Sequence, residues 1–252
     1  MLDRSYPRRR FRNSFQALVI MGILSSAWAL PASAGMDEAM AAYQAKDYSL
    51  ALQEFSALAQ TGDPKAEYYM GRIYHYGEGV TVSGAEAAKW YRKAADKGVA
   101  GAQYNLGILY DQGNGVKEDA AEAAKWMRKA ADLNDPQAQF SLAYFYQMGR
   151  GVKKDPSEAF KWYKRSAEQG HAISYLAMGF SLRDGSGVPP NKVEALKWFE
   201  LASASLQEGM MRDVASRARD RMQAKMNATE IAQAEKLVAA WKNDVQPKQV
   251  QQ

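Results

Sequence analysis

The chain has 252 residues, 47% of them hydrophobic, enough to bury a substantial core. It contains no cysteine, which excludes disulfides, thiolate metal sites, a thiol nucleophile and a lipid-bearing N-terminal cysteine. The net charge of +5 is local: within residues 1–34, Arg4, Arg8, Arg9, Arg10 and Arg12 face Asp3 alone, and the rest of the chain carries 28 basic against 27 acidic side chains, so no nucleic-acid partner is expected.

Residues 1–34 read as a secretion signal. The arginine-rich start gives way to an apolar run from Ala17 to Leu24, continuing through Trp28 to Leu30. Ala32-Ser33-Ala34 then supplies a small-residue cleavage site, with cleavage expected between Ala34 and Gly35. The run of about 14 residues falls short of the roughly 20 that span a bilayer. Arg8-Arg9-Arg10-Phe11 partly resembles a twin-arginine signal, but Arg12 stands where an apolar residue is usual, so the general secretion route is expected. The mature chain is expected to be periplasmic or secreted, and at a membrane only if the leader stays attached.

Asp47 to Gly62, with Leu50, Ala51, Phe55, Leu58 and Ala59, reads as a degenerate copy of the second helix of the repeat that follows, so 35–65 is expected to form an N-terminal capping helix pair. From there the chain is periodic. Trp90, Trp126, Trp162 and Trp198 stand 36 residues apart. Gly-x-Gly-Val recurs at Gly77, Gly113, Gly149 and Gly185, and Glu-Ala at Glu86, Glu122, Glu158 and Glu194. A lysine precedes each tryptophan, at Lys89, Lys125, Lys161 and Lys197. A fixed period of this length is the mark of stacked units.

Within a unit, Ala102, Leu106 and Tyr110 recur at helical spacing, and Gly107 beside them permits close approach of another helix. Gly113-Asn114-Gly115 stops that helix. Asp119, followed three residues later by Glu122, opens a second helix in the manner of a capping box, as do Ser83, Asp155 and Asn191 in their units. Ala123, Trp126 and Ala130 form its buried stripe, and Gly98, Asn134 and Gly170 close it. Two antiparallel helices per unit follow, and the tryptophans are assigned to the core.

The run from Ala102 to Tyr110, then Gly113-Asn114-Gly115-Val116, Ala123-Ala124-Lys125-Trp126 and Ala130-Ala131, resembles the Sel-one-like repeat (SLR) family, a relative of tetratricopeptide repeats. The resemblance implies an all-α solenoid of antiparallel helix pairs in a right-handed superhelix. Four repeats are placed at 66–101, 102–137, 138–173 and 174–209. Residues 210–243 are expected to cap the far end. There Asn227 to Glu235 and Trp241 resemble the closing helix of bacterial members, with Asn227 and Glu230 as its caps. A disordered tail is expected over 244–252.

No catalytic constellation is visible. His75 and His171 are the only histidines and have no partner at metal-ligand spacing; His171, in an inter-repeat turn, reads as solvated. No Ser-x-x-Lys or Gly-x-Ser-x-Gly occurs, and the Gly-x-Gly stretches lack the third glycine and preceding strand of a phosphate loop. Arg212, Arg217, Arg219, Arg221 and Lys225 form the one locally basic stretch after the leader, read as a solvated helix face. No cofactor and no metal are expected.

By the tetratricopeptide likeness, the first helices line a concave face. Tyr68, Tyr104, Phe140 and Leu176 stay apolar in every unit, which packing explains. Arg72, Ile108, Tyr144 and Phe180 change character from unit to unit, as recognition of a particular ligand requires and a scaffold does not. With Tyr76, Met148 and Arg183 they form the candidate site for an extended peptide or amphipathic helix. The expected function is an exported monomeric scaffold that binds a protein or peptide. The alternatives are a cell-wall-related or β-lactam-hydrolysing enzyme, and a structural role at peptidoglycan or the membrane surface.

Overall fold

The computed structural model describes residues 35–249, with side chains to Asp244; the secretion signal expected over 1–34 lies outside the described residues. Twelve helices follow one another there without a strand. A leading pair, α1 (Met36–Gln44) and α2 (Tyr48–Gln60), precedes four units: α3 (Pro64–Tyr76) with α4 (Gly84–Asp96), α5 (Ala100–Gln112) with α6 (Ala120–Asp132), α7 (Pro136–Met148) with α8 (Pro156–Glu168), and α9 (Ala172–Asp184) with α10 (Lys192–Ser205). Two further helices, α11 (Met210–Gln223) and α12 (Ala228–Gln249), pack on α10 and close the stack. Each first helix packs on its own second helix, and each second helix on the first helix of the next unit. This is an all-α solenoid, as expected.

The expected turn chemistry is present. Gly77, Gly113, Gly149 and Gly185 end the first helices in the left-handed region, with φ of 73°, 66°, 75° and 71°. The second glycine of each Gly-x-Gly serves a different need. A Cβ at Gly151 would lie 2.0 Å from the Ala120 carbonyl oxygen at the start of α6, and one at Gly187 would lie 2.0 Å from that of Pro156. Each loop thus rests directly on the first turn of the preceding unit's second helix, and only glycine lets two backbones come so near.

The second helices are capped by the residues foreseen, but only half of each capping box forms. Ser83, Asp119, Asp155 and Asn191 accept from the backbone N–H three residues on. The glutamates do not reach back, because each cap's own N–H already donates to a first-helix carbonyl, as Asp119 does to Tyr110 at 2.9 Å. Glu122 and Glu158 are thereby released to accept from the indole N–H of Trp126 and Trp162, at 2.8 and 2.9 Å, and to pair with Lys125 and Lys161. The complete reciprocal box occurs at Asn227 and Glu230, both bonds 3.0 Å.

Trp126, Trp162 and Trp198 are buried, whereas Trp90 is only half-buried. The difference lies one unit upstream. Arg92 lies over the rings of Tyr110 and Trp126, and Arg128 over those of Tyr146 and Trp162. The residue 36 positions before Arg92 is Ser56, too short to cover Trp90. Trp198 is covered instead by Tyr175 and Trp241, the latter delivered by α12.

Two boundaries differ from expectation. The units begin at the caps and prolines, two residues before the expected starts, because Asp63-Pro64 and Asp135-Pro136 initiate α3 and α7. Helix α12 runs to Gln249, past the expected end of the capping helices at residue 243.

Candidate binding surface

The 36-residue period carries Arg72, Ile108, Tyr144 and Phe180 to the same position of α3, α5, α7 and α9. Tyr76 and Met148 share a position one turn further on, just before the terminating glycines. Their surroundings differ. Tyr76, Tyr144 and Met148 are 56, 45 and 58% exposed, although each is a large apolar or aromatic side chain. Ile108 and Phe180 are half-buried and pack against the core, so they offer less free surface than the sequence suggests.

At the N-terminal end, Arg72 stands among four tyrosines, its guanidinium carbon 5.5 Å from the ring centre of Tyr43, 6.0 Å from Tyr68, 5.7 Å from Tyr69 and 5.8 Å from Tyr76. Tyr43 donates to Glu78 at 2.6 Å, and burial together with that bond pushes its hydroxyl pKa up. His75 stacks on Tyr76 at 4.7 Å with its Nδ1 3.4 Å from the Tyr91 hydroxyl, and burial lowers its pKa. Periodicity could not reveal the whole cluster, because Tyr43 belongs to the leading pair, outside the repeats; Tyr69 could have been found, since its counterparts are Asn105, Ser141 and Ala177.

In the middle of the array Asp111 is committed to structure. Arg150, from the next unit's loop, binds its carboxylate at 2.5 Å and its carbonyl at 2.9 Å, and also reaches Glu118 at 3.4 Å. Tyr144 and Met148, on the same unit's first helix, remain exposed.

At the C-terminal end, α9, the start of α10 and α11 enclose a cavity of about 540 Å³. It is lined by apolar Phe180, Val214, Ala218 and Met222 and by basic Arg183, Lys192, Arg217, Arg221 and Lys225, the last four exposed at its rim. No acidic side chain lines it. The basic stretch read as one solvated face is in fact split. Arg212 pairs with Glu208 and Arg219 with Asp220, whereas Arg217, Arg221 and Lys225, spaced one turn apart, converge on the cavity. That i, i+4, i+8 spacing was the available signal; Lys192 was not foreseeable, because the fold alone brings it opposite α11.

His171 is not solvated. It is half-buried at the N-cap of α9, with Nδ1 2.9 Å from the Ser174 hydroxyl and 3.1 Å from that of Ser166. Ser174 donates to Ser166, and Ser166 to the Pro136 carbonyl, at 2.8 and 2.7 Å. Both hydroxyl protons are thus spent, so Nδ1 must carry a proton and donate. Among the described residues, no three His, Asp or Glu side chains come together to hold a metal ion, and no helix is long and apolar enough to cross a membrane.

Comparison with known proteins agrees with this architecture. No curated protein matches the chain. A protective antigen of uropathogenic Escherichia coli strains, solved with an SLR fold, is 33% identical over 79% of this chain, with a TM-score of 0.72; the match spans only 42% of the antigen. A Sel1 repeat protein from Oxalobacter formigenes is 30% identical over 76% of this chain and 85% of its own, with a TM-score of 0.63. The Sel1 repeat model matches residues 64–99, 100–135, 136–171 and 172–205, the four helix pairs in the phase their caps define. The chain therefore belongs to the Sel1 repeat family.

Proposed function

We propose that the protein is an exported scaffold that binds another protein or peptide across the face built by its first helices. Sel1 repeats are typically protein-interaction scaffolds. The observation that carries the reading is the exposure of Tyr76 and Met148 at corresponding positions of α3 and α7, and of Tyr144 one turn before Met148, where packing needs nothing so large and apolar. Export follows from the arginine-rich, apolar, Ala-x-Ala order of residues 1–34, with cleavage between Ala34 and Gly35 and a periplasmic or secreted monomer as the product.

The test is capture of partners from envelope extract by the purified protein and by a Tyr76→Ala/Tyr144→Ala/Met148→Ala variant of equal helicity. A protein retained by the first and lost by the second supports the reading. Equal retention moves the site away from the first helices, and no retained protein overturns it. Mass spectrometry of the protein recovered from cells tests export: a chain still beginning at Met1 excludes cleavage.

A further inference from the structure

The basic cavity at the C-terminal end has no structural reason for its charge. Apart from the leader, the chain is nearly neutral, yet five cations line this one site. Arg183 is bound in bidentate fashion by Asp184, at 2.6 and 2.7 Å. Lys192, Arg217, Arg221 and Lys225 make no ion pair among the described residues, and all four are exposed at the rim. Lys192 is especially telling. It is the first residue of α10, where the helix dipole disfavours a cation, and the corresponding residues of the other units are Gly84, Ala120 and Pro156. Like charges held together without a counter-charge cost stability, and a ligand of opposite sign recovers it.

The apolar lining specifies the rest of the ligand. Phe180 packs edge-on to Phe199 at 5.2 Å and carries the Arg183 guanidinium over its ring at 4.7 Å, and it lines the cavity together with Val214 and the pliable Met222. A volume of about 540 Å³ lies within the roughly 300–1,000 Å³ typical of ligand pockets. We infer that this cavity takes an acidic peptide segment, its carboxylates on Arg217, Arg221, Lys192 and Lys225 and one large apolar side chain on Phe180 and Met222. Guanidinium groups match carboxylates in fork geometry, and apolar residues beside them suit a side chain. A membrane surface fits less well: the cations ring a concavity, and the neighbouring Arg212 and Arg219 are occupied by Glu208 and Asp220. The inference rests on the scaffold reading and names the chemistry of its partner.

The probe is a fluorescein-labelled peptide of four glutamates flanking one phenylalanine, titrated by anisotropy into the purified protein. Saturable binding that weakens with salt, and weakens about ten-fold in an Arg217→Ser/Arg221→Ser variant, supports the site. Both arginines are exposed, so the variant should melt like the parent. Replacing the peptide's phenylalanine by alanine should weaken binding comparably. No binding, or equal binding by the variant, overturns the inference. So does sedimentation with phosphatidylserine vesicles in the absence of peptide binding. A partner captured through Tyr76, Tyr144 and Met148, but neither displaced by the peptide nor lost in the arginine variant, leaves the scaffold reading standing and this inference refuted.

Discussion

His171 shows what a single buried proton does to this fold. Its Nδ1–H completes the chain through Ser174 and Ser166 to the Pro136 carbonyl, which ties α9 to α8 and to the start of α7. Burial lowers its pKa below the ordinary 6.5, against a smaller opposing pull from Asp135. A histidine held neutral in the folded state contributes stability above its unfolded pKa, and that stability is lost as pH falls through 6.5 because the unfolded chain takes up the proton first. His75, lowered by burial, acts in the same sense. The melting temperature should therefore fall between about pH 7.5 and 5.5, a window in which ordinary carboxylates barely titrate. His171→Asn should flatten that fall, which thermal unfolding at the two pH values would show; an unchanged slope would remove His171 from the account.

At the scale of the element, the glycines separate into positions that need a backbone angle and positions that also need space. Gly98 has φ +85° and nothing within 4 Å of an added Cβ, so Gly98→Ala should cost about 1 kcal/mol, the strain of the left-handed region alone. Gly151 has φ +64° and the Ala120 carbonyl oxygen 2.0 Å from its Cβ position, so Gly151→Ala should cost about 3 kcal/mol or more as the junction of two units is forced apart. Urea unfolding of the two variants tests the contrast, and similar losses would contradict the close approach. The caps offer a milder test. Asp119 accepts from the Glu122 N–H at 2.9 Å, so Asp119→Ala should lose about 1 kcal/mol while Asp119→Asn loses little.

Over the whole molecule, stability is distributed along a line, because each unit touches only its neighbours. Trp126, 4% exposed and clasped between Glu122 and Arg92, belongs to an interior unit; Trp241, half-buried on α12, belongs to the end. Trp126→Ala should cost about 3–5 kcal/mol and Trp241→Ala about 2 kcal/mol, read from chemical unfolding. Equal losses would count against a linear array.

The repeat, its two helices and their caps were legible in the sequence, because they depend on contacts within one period and so recur wherever Trp, Gly-x-Gly and Glu-Ala recur; the box at Asn227 was legible because its two partners stand three residues apart. What recurs once cannot be read that way. The partial exposure of Trp90, the tyrosines around Arg72 and the serine-bound His171 each involve residues from neighbouring units whose types are not repeated. The basic cavity is the clearest case: Arg217, Arg221 and Lys225 were visible as a charged stretch, but only the packing of α11 against the last repeat parts them from Arg212 and Arg219 and sets Lys192 opposite. Local spacing determines which helices form and how they cap; tertiary packing decides which charges share a cavity, since their distance in space is set by helices far apart in the chain.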